Sequence, residues 1–323
     1  MLPSDKVIEL RGLIEKILSP LVDNDYLLFE LPRHANLGDT LIWQGELDFL
    51  KTLSYKCKFS TGYLKSIFIA KEFIQPNTLL LFQGGGNFGD VWEGPNDFRK
   101  AVLRMYPNQP SIIFPQTIYY NKIENLKEDA AFYANYPNVT ICARDRRSLS
   151  ILQEYFPMNP SFLVPDMAFF MDIERLKRTR NPKGAVYIRR NDRELNIENN
   201  YHIVPDYADT IDWTFLENSR SYSFQDDIEK WASLIDNKFG GNWRCRCLDL
   251  YWNRFLRQLN VKTAISVIDK YEEIYATRMH AAILGVILGK TAVTLFDNSY
   301  GKCSSFYHTW LSDIDSFNIV ENE

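Results

Sequence analysis

Short apolar runs bounded by Pro, Gly or Asn alternate along this chain with longer amphipathic stretches, after a first helical segment MLPSDKVIELRGLIEKIL. A strand buried on both faces reads as an unbroken apolar run, whereas a crossover helix buries one stripe only, so this rhythm is that of parallel sheets. Tyr26 to Leu31, Leu79 to Phe82, Ser111 to Phe114 and Val139 to Cys142 read as strands, with helices over 37 to 53, 94 to 106, 124 to 135 and 146 to 155. The class expected is α/β.

At 323 residues with 46% apolar content the chain can build two cores, since one domain uses roughly 100 to 200 residues. The charged segment Asp172 to Gly184, DIERLKRTRNPKG, lacks large apolar residues and ends in Pro and Gly, as an interdomain connector does. Beyond it, Ala185 to Ile188 opens a second sheet, 224 to 237 and 251 to 259 read as helical, Thr263 to Val267 as a strand, and 271 to 288 as helix-rich. Strand Thr291 to Phe296 and a helix over 304 to 312 complete the pattern. The architecture expected is two Rossmann-like domains, 1–175 and 183–323, facing a cleft, with the last helix packing back on the first.

Charge excludes several partners. With 37 basic and 41 acidic residues and no long basic run, the chain is not expected to track a nucleic-acid backbone. The first segment mixes charges into its apolar positions, so it reads as a surface helix rather than a signal peptide. The apolar stretch Ala281 to Leu288 is far short of the roughly 20 residues that span a bilayer. Five scattered cysteines fit free thiols in a reducing cytoplasm, and the spacing of Cys245 and Cys247 does not suit a zinc site, so no metal is expected.

Two segments gather polar chemistry at strand ends, where open α/β sheets collect ligands, and a third does so at the start of a helix. After the strand LLLF comes Gln83-Gly84-Gly85-Gly86-Asn87-Phe88-Gly89-Asp90, a ligand-facing loop or a tight turn, and neither a dinucleotide fingerprint nor a Walker loop. His34-Ala35-Asn36-Leu37-Gly38-Asp39-Thr40 follows the first strand. There Asn36 suits a helix cap, and His34 and Asp39 are candidate acid/base groups. Arg278-Met279-His280 opens the apolar helix AAILGVILG, the outline of a phosphate site at a helix N-terminus.

Arg144 sits at a further strand end, either paired with Asp145 or aimed at a ligand. Asp166 after Pro165, and Arg189-Arg190 after the next strand, are placed to line the cleft. Asp166 could equally cap a turn, and one of the two arginines must point away because strand side chains alternate. His202 and His308 read as surface or core residues, and no GxSxG elbow or reactive cysteine is present.

In order, HANLGDTLIW, LFQGGGNFGDVW, ICARDRRSL, VPDMAF and TRMHAAILGVILGKTAVTLFDNSYGKCSSFY resemble the polysaccharide pyruvyl transferase family over about residues 30 to 311. The resemblance implies a glycosyltransferase-B-like fold, phosphoenolpyruvate as donor substrate with no cofactor, and a sugar acceptor, one carried on a lipid being suggested by the family. It implies an enzyme that forms a pyruvate ketal on a surface or capsular polysaccharide precursor, in the cytoplasm or at the inner face of the membrane.

By the same resemblance Arg278 and His280 would hold the donor's phosphate or carboxylate, with Arg189 or Arg190 and Lys302 beside them. Gly85, Gly86, Asn87 and the His34 to Asp39 segment would position the sugar. His280 or His34 would be the acid and Asp39 the base. Two other readings stay open at this stage: a glycosyltransferase of the same fold using a nucleotide sugar, and a non-catalytic protein that binds a phosphorylated metabolite.

Overall fold

A computed structural model describes residues 1–173, 181–215 and 219–321. The first sheet is built from β1 (Tyr26–Phe29), β2 (Cys57–Thr61), β3 (Leu79–Phe82), β4 (Gly85–Gly89), β5 (Ser111–Tyr119), β6 (Val139–Ala143) and β7 (Ser161–Leu163). All pairings are parallel, in the order β2-β1-β3-β5-β6-β7 with β4 added on β5. The second sheet contains β8 (Ala185–Ile188), β9 (Asp209–Ile211), β10 (Glu273–Ala276), β11 (Ala292–Phe296) and β12 (Phe317–Val320), again parallel, in the order β12-β11-β10-β8-β9.

The helices in chain order are α1 (Pro3–Leu18), α2 (Leu37–Leu50), α3 (Ile67–Ala70), α4 (Glu93–Met105), α5 (Ile123–Tyr133), α6 (Arg146–Tyr155), α7 (Arg220–Phe239), α8 (Trp243–Tyr251), α9 (Arg257–Asp269), α10 (Met279–Ile287) and α11 (Lys302–Trp310). The α/β class is thus present in two parallel sheets. The segment read as a connector, 172–184, lies mostly outside the described residues.

Each sheet is wound outward from its first strand in both directions. In the first, the chain steps from β1 to β2 on one side and then to β3 on the other; in the second, from β8 to β9 and then to β10. Where the winding reverses, the loops leaving two neighbouring strands diverge and open a crevice at the carboxyl ends. The polar segments after β1 and β3, and those after β8 and β10, therefore emerge at the two crevices.

Strand side chains alternate, so Leu27 and Phe29 enter one core while Leu28 enters the other. The core that contains Leu28 and Leu81 continues without a break to Val186, Ile274 and Leu295 of the second sheet. Helices α1, α2, α9 and α10 carry it across. The first helix is therefore not merely a surface element: Leu10, Ile14 and Leu18 are fully buried along one stripe that packs toward α10.

Two readings are corrected. Thr263 to Val267 is the middle of α9, whose buried residues Val261, Ala264, Ile265 and Ile268 follow a helical period although three β-branched residues gave the run a strand's composition. The strand of this region is β10, inside the stretch read as helix-rich. In the first half, the glycine segment is itself a strand, β4, paired with β5. Finally, α11 packs on α6, where Trp310 Nε1 donates to the Arg144 carbonyl at 2.7 Å and Ser305 Oγ donates to Asp145 Oδ1 at 2.8 Å.

Candidate active site

The two crevices face one another across a single cleft of about 610 Å³. On the first wall, Asn36 caps α2: its Oδ1 accepts from Gly38 N at 3.1 Å while its Nδ2 donates to Asp39 Oδ2 at 2.9 Å. The capping and cleft-facing readings of Asn36 are thus both realised. His34 Nε2 lies 3.4 Å from the same Asp39 oxygen, and all three side chains line the cleft. Gln83 Nε2 donates to the Asp39 carbonyl at 3.0 Å, and Gln116 joins β4 to this wall by accepting from Asn87 N at 3.2 Å and donating to Gln83 O at 2.7 Å.

Gly86 and Asn87 reach the cleft surface, whereas Gly85 lies one step behind it. A Cβ on Gly86 would stand 3.1 Å from Arg144 Nη2 and 3.6 Å from Lys302 Nζ, so the missing side chain leaves those cations room to face the cleft. Arg144 does not pair with Asp145. That aspartate caps α6 by accepting from Ser148 N at 2.9 Å, while Arg144 donates to Asp166 Oδ2 at 2.7 Å and to Thr117 Oγ1 at 2.8 Å.

Asp166 lies beneath the cleft floor rather than on its surface, 1% exposed. Its Oδ2 is also 3.2 Å from His280 Nε2, and its Oδ1 accepts from Ala168 N at 2.9 Å. Burial alone would raise its pKa, but His280, Arg144 and the Ala168 N–H together hold it well below the usual carboxylate range.

On the second wall, Arg278 precedes α10 and grips Asp212 bidentately, Nε to Oδ1 at 2.8 Å and Nη2 to Oδ2 at 2.9 Å. Its Nη1 lies 2.9 Å from Asp192. Arg190, leaving β8, donates to Asp192 at 2.8 Å and Glu194 at 2.9 Å, and Glu194 also pairs with Lys302. Burial pushes the Glu194 carboxyl up, but Lys302 and Arg190 outweigh it and keep the group strongly acidic. The same pairing raises Lys302 against its own desolvation. These cations are therefore charged and held in place by fixed anions. Arg189 is exposed and outside the cleft, being the arginine that alternation turns away.

Sequence reasoning did not find the anions Asp192, Glu194 and Asp212, nor the cleft-lining Trp92 and Trp213. The charge run Arg190-Asn191-Asp192-Arg193-Glu194 at a strand's carboxyl end was the available signal for the first two. Trp92 Nε1 donates to Glu194 Oε1 at 3.1 Å, and the Arg193 guanidinium lies over the Trp92 ring at 4.4 Å, closing one side of the cleft. Among the described residues no group of three or more His, Cys, Asp or Glu is arranged to hold a metal ion.

Comparisons with known proteins show what the chain as a whole is similar to. The family model described as "Polysaccharide pyruvyl transferase" matches residues 36–300. The "Putative pyruvyl transferase EpsO" of Bacillus subtilis (strain 168) is 30% identical over 97% of this chain and 93% of its own length. "Pyruvyl transferase 1" of Schizosaccharomyces pombe is 27% identical over 88% of this chain and 69% of its own. A crystal structure of a Klebsiella pneumoniae protein described as functionally uncharacterised shares the fold, with a TM-score of 0.61 at 18% identity over 96% of this chain and 98% of that one.

Proposed function

This chain belongs to the polysaccharide pyruvyl transferase family, and we propose that it moves the enolpyruvyl unit of phosphoenolpyruvate onto a sugar of a polysaccharide precursor, forming a pyruvate ketal and releasing phosphate. The observation that carries this reading is the convergence of Arg144, Arg190, Arg278 and Lys302 on one cleft at the switch points of two parallel sheets. Phosphoenolpyruvate carries a phosphate and a carboxylate on three carbons, so its recognition calls for several cations within a few ångströms. The cleft is large enough to hold such a donor beside a monosaccharide.

The proposed chemistry needs one acid and one base. A proton delivered to the donor's methylene carbon makes a methyl group and leaves an oxocarbenium-like centre at C2, which a sugar hydroxyl attacks. The C2–O bond to phosphate then breaks, phosphate departs with its bonding pair, and a second hydroxyl closes the ring and gives up its proton. His280 is assigned as the acid because it lines the cleft and its Nε2 is held 3.2 Å from buried Asp166. His34 is the alternative acid from the opposite wall, and Asp39 is the base that takes the hydroxyl proton. Arg144, Arg278 and Lys302 offset the charge that builds on departing phosphate.

Arg190 completes the anion site, while Asn36, Gly86 and Asn87 face the acceptor. Gly85 and Asp166 support from behind the surface, and Arg189 is left out. On this reading the two sheets, residues 1–175 and 183–323, form the two halves of a glycosyltransferase-B-like enzyme that acts in the cytoplasm. Among the described residues no helix is long and apolar enough to cross a membrane.

Calorimetric titration of the purified chain with phosphoenolpyruvate tests the donor site. Saturable binding that inorganic phosphate competes away is expected. Binding of a nucleotide sugar with none of phosphoenolpyruvate would replace this reading by glycosyl transfer.

A further inference from the structure

β4 carries the cleft-lining Asn87 on a backbone that its own composition does not hold. Three of its five residues are glycine, with φ at 136° in Gly85 and 135° in Gly89, and it pairs with β5 alone. The β4–β5 register breaks between Gly85 and Phe88, so Asn87 has no partner on the ladder. Buried side chains satisfy its peptide groups instead. Gln116 Oε1 accepts from the N–H at 3.2 Å, and Arg99 Nη2 donates to the carbonyl at 2.7 Å. The side-chain amide of Asn87 makes no hydrogen bond among the described residues, and the residue lines the cleft.

Arg99 comes from α4 and is fully buried, its guanidinium 5.0 Å from the centre of the Phe88 ring. Glu30 fixes it bidentately, accepting from Nε at 2.8 Å and from Nη2 at 3.1 Å. Glu30 follows β1, and simple alternation would send its side chain, like that of Leu28, into the core that both sheets share. Helix α4 lies on the other side, where Phe98 packs 6.3 Å from Phe29. Glu30 takes φ 67°, a left-handed conformation that residues other than glycine rarely adopt, and the turn brings its carboxylate to Arg99 on the α4 side. Strain of this kind gathers at functional sites, and a buried ion pair adds little net stability over apolar side chains of similar size. Stability alone therefore does not call for this pair.

We propose that Arg99, oriented by Glu30, is a positioning residue for the acceptor: by holding the Asn87 carbonyl it aims the free Asn87 amide at hydroxyls of the sugar. Gln116 and Arg99 grip the two peptide groups of Asn87, so a glycine-flanked residue keeps one orientation. An amide offers a donor and an acceptor side by side, a match for two neighbouring hydroxyls. The acceptor's part in this rests on the pyruvyl transfer reading; the clamp on β4 does not.

Two measurements on Arg99→Lys test it, since a single ammonium can face Glu30 but cannot span Glu30 and Asn87 as the planar fork does. Hydrogen–deuterium exchange without substrate should speed by about tenfold or more over residues 85–89, while β1 and β3 keep wild-type protection. In pyruvyl transfer to an aryl sugar, the acceptor KM should rise about tenfold and the phosphoenolpyruvate KM stay within about twofold. Asn87→Ala should do the same, and Arg99→Lys/Asn87→Ala should be no worse than either single variant. Glu30→Gln keeps the length and one acceptor, should show the same pattern more weakly, and serves if Arg99→Lys does not fold. Unchanged exchange at 85–89, exchange that rises throughout the first sheet, or losses that add in the double variant would each overturn the proposal, the last two by making Arg99 a support of the fold rather than of Asn87. A chain that pyruvylates no sugar overturns the acceptor role together with the function it rests on, and the exchange result still decides the clamp.

Discussion

Asp166 Oδ2 lies 3.2 Å from His280 Nε2, a contact that ties the loop after the last strand of the first sheet to the first turn of α10 in the second. The carboxylate is buried and ionised, and it fixes the imidazole at the floor of the cleft. Asp166→Asn removes the charge while keeping the shape. Turnover is expected to fall by about 100-fold, the usual scale for disabling an acid/base group. Stability should drop by about 3 kcal/mol, because Arg144 is left buried without its counterion. Steady-state rates and urea unfolding of the variant measure both; near-normal turnover would remove His280 from its assigned role.

Gly38 holds the same ring from the other side. A Cβ there would stand 2.6 Å from His280 Nδ1. Gly38→Ala leaves the helix well formed but displaces the imidazole, so a loss of about 100-fold in kcat with a nearly unchanged melting temperature is expected. A fully active Gly38→Ala enzyme would show that the position of the ring does not matter to the reaction.

Arg189 and Arg190 are adjacent in sequence and opposite in environment. Arg189→Ala should leave the KM for phosphoenolpyruvate within about twofold, since surface changes away from a site are nearly neutral. Arg190→Ala strips Asp192 and Glu194 of a cation and should raise that KM by at least about tenfold. The pair of KM values checks whether alternation along β8 was read correctly.

Glu46 offers a prediction in stability rather than rate. It is fully buried, its Oε1 accepts from Gly84 N at 2.8 Å, and burial pushes its pKa well above the ordinary value of 4.5, with Asp166 and Glu30 adding to the effect. The folded chain therefore keeps a proton that the unfolded chain releases above pH 4.5. The stability tied to this group is complete below that pH and declines as pH rises toward the folded value. Glu46→Gln keeps the acceptor for Gly84 and has no proton to lose. It should gain on the wild type as pH rises, by about 1.4 kcal/mol per unit until the folded value is reached. Urea unfolding of both proteins at pH 5 and 7.5 checks this, and a pH-independent difference would contradict it.

Much of the first sheet was legible because β1, β3, β6 and the first four residues of β5 are short, mostly buried apolar runs, although β5 continues through Pro115 to Tyr119 where the sequence pattern ended it at Phe114. The second sheet was less so. Strand β10, Glu-Ile-Tyr-Ala, has only two fully buried positions and is flanked by charge, while Thr263, Ile265 and Val267 of α9 alternate as a strand's residues would, although the buried face of the helix is set by Val261, Ala264, Ile265 and Ile268. β4 was hidden by its glycines, which depress strand propensity but permit the close pairing with β5. In the site, the cations were found because anion binding was the chemistry sought. Their carboxylate partners escaped because Asp212 is 66 residues from Arg278 and is joined to it only by the neighbouring strands β8, β9 and β10.

The most direct test of the central claim is phosphate release from phosphoenolpyruvate by the purified chain, offered a panel of lipid-linked and aryl galactose, glucose, mannose and N-acetylated sugars, with mass analysis of the products. Phosphate release that depends on the sugar is expected, with equimolar product heavier than the acceptor by one pyruvyl ketal. Consumption of a nucleotide sugar with glycosylated product, and phosphoenolpyruvate left intact throughout, would contradict it.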